Sequence, residues 1–148
     1  MSRFRFSLQR ILDLRASAER LQGIMVGRAL ASEAEQQTIA DDSQAQLDRI
    51  HDQGTTDAKA TPAGLHRVYE ITAEAARERA AREAEALAAL TAESAEAQLR
   101  YQAARMARQS LERLRERRVG EWAVESGRIE QSEAEESARQ HSGQEFRT

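Results

Sequence analysis

Two long stretches of the chain repeat apolar or small residues at steps of three and four. The first runs Ile11, Leu14, Ala18, Leu21, Met25, Ala29, Ser32, Gln36, Ile39, Ser43, Leu47 and Ile50. The second runs Leu65, Tyr69, Thr72, Ala76, Ala80, Glu83, Leu87, Leu90, Ser94, Ala97, Tyr101, Ala104, Ala107, Leu111 and Leu114. Such steps place one face of each helix on the seam of a coiled coil. Paired four-residue steps in the first stripe act as stutters that locally unwind the supercoil. Between the stripes, "HDQGTTDAKATPAG" (51–64) gathers Gly54, Pro62 and Gly64 among polar residues. Thr61 followed by Pro62 reads as an N-cap and a first-turn proline. The pattern predicts one coiled-coil domain over 1–148: a helix over about 4–51, a loop over about 52–61, and a helix over about 62–140.

Two such helices joined by a short polar loop fold back as an antiparallel hairpin, which makes the expected fold all-α and elongated. A turn centred near residue 58 makes facing residue numbers sum to about 116. That register sets Leu47 by Tyr69, Ala29 by Leu87 and Leu14 by Tyr101 or Gln102. It also leaves residues 119 onward without a first-helix partner, although Trp122 and Ile129 continue the stripe. Gly120, Gly127 and Gly143 each lower helix propensity there by about 1 kcal/mol relative to alanine, so a frayed end is expected from about residue 125. A long parallel dimer interrupted at 51–64 is the alternative; the Thr-Pro start and the glycine-bearing loop favour the hairpin, and a dimer of hairpins fits as well.

Composition agrees with helices and removes a globular core. Of 148 residues, 28 are alanine, aromatics are only 4% and charged residues reach 32%, so large buryable side chains are scarce. Richness in Ala, Glu, Arg, Leu and Gln with one proline is the mark of long helices. Small seam residues permit close approach but bury little area, so modest stability is expected. The three phenylalanines are Phe4, Phe6 and Phe146, all near the ends, with Phe4 and Phe6 alternating with Arg3 and Arg5.

Charge is nearly balanced in sum and uneven in place. The formal net charge is −3, which gives no global pull toward nucleic acid or membrane. Residues 1–30 carry six Arg against two acids, and residues 98–120 carry seven Arg against two Glu. An antiparallel hairpin brings those stretches side by side, which predicts a basic end near the termini and an acidic end at the turn. Single charges read as solvated flanks with i,i+4 pairs; the joint clustering beside Phe4 and Phe6 points to a binding surface. The absence of cysteine suits the cytosol. No apolar run approaches the roughly 20 residues of a membrane span, and no secretory h-region follows the N-terminal arginines.

Enzymatic chemistry finds no footing. None of His51, His66 and His141 belongs to a H-E-x-x-H or E-x-x-H metal pair, although His51 and His66 could approach each other across the loop. No phosphate-binding G-x-x-x-x-G-K-[ST] loop is present, and no serine sits on a strand-turn-helix elbow. The plentiful carboxylates have nothing to desolvate them. The sequence predicts a non-enzyme with no cofactor and no metal.

The head "FRFSLQRILDLRASAERL" carries F-x-F-x-L-x-x-[LI]-L-x-L-R-x-x-x-E and resembles the opening of the flagellar FliJ family. The segment "LERLRERRVGEWAVESGRIEQSEAEESA" (111–138) is similar to that family's C-terminal part, where leucine and basic residues lead into E-x(3)-E and an acidic stretch. Length and two-helix layout also match, so the resemblance spans most of the chain. It departs at Glu135-Glu136, where the family often shows D-E.

The resemblance implies a component of the bacterial flagellar type III protein export apparatus, cytoplasmic and held at the inner membrane through partners. Such a protein looks like the two-helix γ-subunit stalk of a rotary ATPase. It would bind the hexameric export ATPase FliI, contact the export gate FlhA, and could also escort export substrates or their chaperones. Carried over by position, Phe4, Phe6, Leu8, Ile11 and Leu12, with the facing Leu111 and Leu114, belong to the ring-side end. Leu47, Ile50, Val68 and Tyr69, beside the loop, are candidates for the gate contact, with ordinary seam packing as the competing reading. The expected docking tip is an apolar centre of Phe4 and Phe6 rimmed by Arg3, Arg5, Arg10, Arg113, Arg115, Arg117 and Arg118; the competing reading makes the phenylalanines a staple onto the second helix.

Rival functions come from other classes. A generic coiled-coil scaffold or the stalk of a virulence-type secretion system would show the same stripes. An arginine-rich helix over 98–120 could bind nucleic acid, but aromatic platforms are missing and the chain is net acidic.

Overall fold

In a computed structural model, which describes residues 3–57 and 62–145, the chain forms two helices packed against each other and no strand among the described residues. They are α1 (Gln9–Asp57) and α2 (Ala63–Glu145). The chain is an all-α helical hairpin.

The ends of the helices differ from the sequence pattern for local reasons. Residues 3–6 are not helical, and exposure alternates: Phe4, Phe6 and Leu8 are half-buried while Arg3, Arg5 and Ser7 are exposed. A period of two belongs to an extended run, not to a helix. α1 therefore begins five residues later than expected, with the Gln9 N–H donating to the Phe6 carbonyl at 3.1 Å and the Leu12 N–H to the Leu8 carbonyl at 3.0 Å. At its other end α1 runs through Gly54 to Asp57. Thr55 and Thr56 both donate their hydroxyls to the Asp52 carbonyl at 2.9 Å, which ties down the last turn. On α2 the Pro62 carbonyl accepts from the Leu65 N–H at 2.9 Å, so Pro62 stands at the start of the helix; Thr61, the expected cap, lies outside the described residues.

Chain contacts divide the molecule into two units, residues 1–19 with 104–148 and residues 20–103. In the second, Tyr101 packs on Gly23, Glu33 meets Thr91 and Ser94, and Gln36 meets Glu83. Residue numbers across these pairs sum to between 119 and 127, not to about 116. The correction follows from the turn: helix persists through Asp57, which moves the fold-back point toward α2. Leu14 accordingly does not face Tyr101.

The seam of α2 follows its sequence stripe. From Ala76 to Ala107 every stripe residue is buried or half-buried, with Ala80, Ser94 and Ala97 the most enclosed. Near the loop, Leu65 is exposed and Ala73 replaces Thr72 on the inner face. The seam of α1 follows its stripe at Ala29, Gln36, Ser43, Leu47 and Ile50 but not before. Over its first half the inner residues include Leu12, Ala16, Glu19, Gly23 and Val26, whereas Ile11, Leu14, Leu21 and Met25 are exposed. Apolar residues nearly encircle that half, so the largest ones do not define the seam. The Tyr101 ring selects the face that offers a glycine.

Packing is thin throughout. Among the described residues the buried apolar ones are Leu12, Ala80 and Ala97, and no side chain is fully enclosed. A buried leucine contributes roughly 1.5–3 kcal/mol and a methyl-sized group about 0.8 kcal/mol, so alanine layers add little each. Polar pairs across the seam then carry much of the register.

Candidate functional site

The first unit holds the expected ring-side residues. Its head folds onto α2 through aromatic packing: the Phe4 and Trp122 rings lie 5.9 Å apart at 57°, a tilted geometry typical of stabilising aromatic pairs. This corrects one expectation: Trp122 has a partner, and it comes from the N-terminal segment. Phe6 and Leu8 are half-buried as well, and Leu12 is buried at 8% exposure. The Phe4–Trp122 contact is the one the staple reading calls for, and Phe4, Phe6 and Leu8 are half-buried together.

The outward apolar residues of this unit are others. Ile11 is 45% and Leu14 69% exposed on α1, while Leu111 and Leu114 on α2 are half-buried. Arg3, Arg5, Arg10, Arg113, Arg115, Arg117 and Arg118 are all exposed, with Arg118 paired to Glu121 at 3.0 Å. The arginines of the expected rim are thus exposed, and so are Ile11 and Leu14.

An ion pair fixes the base of this surface. The Arg108 Nε donates to Glu19 Oε2 and its Nη2 to Oε1 at 3.5 Å, while Nη1 pairs with Glu112. The hydrogen bond to Glu19, followed by that to Glu112, holds the guanidinium pKa above its ordinary value. Side-chain exposures of 24% for Arg108 and 13% for Glu19 make this more enclosed than a surface pair. A fork-to-carboxylate contact carries orientation as well as charge. Sequence reasoning misses it because Glu19 reads as a solvated flank; the available signal is that Glu19 is one of only two acids among the six arginines of residues 1–30, standing opposite a basic run.

The loop-side candidates belong to the second unit. Leu47, Ile50 and Tyr69 are half-buried seam residues, which favours packing over a gate contact for these three. Val68 is 54% exposed and stands with Leu65 at 52% and Ile71 at 63% on α2. His51 and His66 line one groove with Ile50, Gly54 and Tyr69, and His66 lies 3.9 Å from Glu70. Among the described residues no three His, Cys, Asp or Glu side chains gather as a metal site.

No family model, curated protein or solved structure matches the chain. Farther from the loop, Glu33 accepts hydrogen bonds from Thr91 at 2.9 Å and Ser94 at 2.6 Å, and the Gln36 amide donates to Glu83 at 2.7 Å. Ser94, then Thr91, hold the Glu33 carboxyl below its ordinary pKa. These groups sit on the seam and read as register pins. Among the described residues no helix is long and apolar enough to cross a membrane.

Proposed function

We propose that the chain is a coiled-coil stalk of the bacterial flagellar protein export apparatus, of the FliJ kind. In this reading it binds the ring of the export ATPase FliI and couples it to the export gate FlhA. It would work in the cytoplasm at the flagellar base, peripheral to the inner membrane, and could escort export chaperones. The observation that carries the reading is the helical hairpin with an arginine-rich, exposed head. Arg3, Arg5 and Arg10 are exposed in the same segment as the exposed Ile11 and Leu14, and Arg113, Arg115 and Arg117 are exposed on α2. The head sequence "FRFSLQRILDLRASAERL" supplies the family resemblance. Exposed apolar residues in an arginine-rich segment suit a protein interface with a few strong contacts.

The mechanism assigned to the surface is positional. Phe4 and Trp122 hold the head against α2, and Glu19 with Arg108 fixes α1 beside it. The presented arginines would steer an acidic ring surface, and Ile11 and Leu14 would be desolvated on contact. The test is affinity co-purification of the cognate export ATPase with the full chain, together with the rate of ATP hydrolysis. Retention and stimulation support the reading; neither retention nor stimulation at micromolar protein overturns it.

A further inference from the structure

Beyond the Phe4–Trp122 contact, α2 continues with its inner face uncovered. Trp122, Ser126, Ile129 and Glu133 follow one another at steps of four, three and four, the spacing of the seam behind them. Trp122 is still 37% exposed despite Phe4, Ile129 is 51% exposed, and every residue from Gly127 to His141 is exposed. A groove runs along this face past Gly127, where a Cβ would meet nothing within 4 Å. The face is thus a continuation of an existing helix–helix interface that lacks its second helix. It is also acidic, with six Glu against two Arg over residues 121–141.

The same unit holds a surface of opposite kind. Ile11 and Leu14 are exposed on α1, and with Ala18 they make steps of three and four. Residues 1–19 carry four Arg against Asp13 and Glu19. Both acids have partners, since Asp13 accepts from the Gln9 amide at 2.9 Å and Glu19 binds Arg108. The head is a basic apolar stripe, and the extension of α2 is an acidic apolar stripe. Their repeat is the same, and their charges are complementary.

We infer that two copies of the chain associate reciprocally, the acidic extension of each α2 lying on the basic Ile11–Leu14 stripe of the other. The Phe4–Trp122 contact holds the head at the root of its own extension, so each copy needs a second one to cover both stripes. The contact occurs twice about a two-fold axis, and it therefore closes as a dimer. Alternative occupants are less well matched: two acidic extensions would repel each other, as would two basic heads. The inference stands apart from the ATPase reading, although it uses the same Ile11 and Leu14. In a dimer those residues are masked, which would make self-association and ring docking mutually exclusive.

The test is sedimentation velocity of the full chain across a concentration series, at low and high salt. A dimer that dissociates as salt rises is expected, because the stripes are oppositely charged. Leu14→Glu and Ile129→Glu should each weaken the dimer at least tenfold with unchanged helicity, since both positions are exposed. An equimolar mixture of the two variants should regain dimer, because one intact contact of the two remains. Glu130→Arg with Glu133→Arg should weaken the dimer, and adding Arg10→Glu with Arg15→Glu should restore it. A chain that stays monomeric at all concentrations, a dimer indifferent to these changes, or a monomer that captures a basic helical peptide on its extension overturns the inference. Oligomeric state is read without the ATPase, so failure here leaves the export reading standing, and failure to stimulate the ATPase leaves the dimer standing.

Discussion

The ring of Tyr101 packs on the backbone of Gly23: a Cβ added at Gly23 would stand 3.6 Å from the ring Cε2 and 3.9 Å from Cδ2. Those are ordinary van der Waals distances, and Gly23 has no left-handed backbone that would exclude a side chain. Gly23→Ala should therefore stabilise the helix by about 0.5–1 kcal/mol, because glycine loses more backbone entropy than alanine on folding. Thermal unfolding should shift upward by roughly 2–4 °C. Gly23→Leu should do the reverse, as the ring would have to leave the seam. A lower melting temperature for Gly23→Ala would contradict the room that this spacing leaves for a methyl group beside the Tyr101 ring.

Ser43 offers a second stabilising change. It is 4% exposed on the inner face of α1, and its hydroxyl has no hydrogen-bond partner. A buried hydroxyl without a partner keeps its desolvation cost, and alanine has the better helix propensity. Ser43→Ala should raise stability by about 1 kcal/mol in urea unfolding. A loss of similar size would mean that the hydroxyl is satisfied in solution.

Acidification should act through Glu33. Its pKa lies below the ordinary 4.5 because the Ser94 and Thr91 hydroxyls favour the carboxylate. A group with a depressed folded pKa contributes stability that is present above the unfolded value and is lost as pH falls through the folded one. Unfolding free energies of wild type and Glu33→Gln should thus differ most above pH 4.5 and converge below it. A difference that is constant across this range would show that the carboxylate charge plays no part.

The head can be watched through the chain's single tryptophan. Phe4→Ala removes the ring that covers Trp122, so Trp122 emission should move to longer wavelength while far-ultraviolet helicity changes little. Trp122 emission unchanged by Phe4→Ala would place the head elsewhere in solution.

Much of the fold is legible in the sequence. Periodicity identifies two helices, the breaker cluster places the turn, and the stripe of α2 from Ala76 to Ala107 matches its buried face. The first half of α1 is not legible, because Ile11, Leu12, Leu14, Leu21, Ile24, Met25 and Val26 spread apolar area around the helix. A rule that favours the largest stripe then excludes Glu19 and Gly23, although the partner helix supplies Arg108 for the one and Tyr101 for the other. The head misleads in a similar way. Phe4 and Phe6 two residues apart signal an extended run with one inward face, not the first turn of a helix. The basic stretches are legible, whereas the apolar residues exposed near them depend on which face of α1 turns outward.

That outward face gives the sharpest check on the stalk proposal. The measurement is ATP hydrolysis by the cognate export ATPase, titrated with wild-type chain and with the double variant Ile11→Ser, Leu14→Ser. Both residues are exposed, so the variant should keep its helicity and melting temperature. Wild type is expected to stimulate hydrolysis in a salt-sensitive way. The folded double variant should stimulate it at least tenfold less at equal concentration, the loss of about 1.4 kcal/mol of binding. Equal stimulation by both proteins would contradict the proposed docking surface.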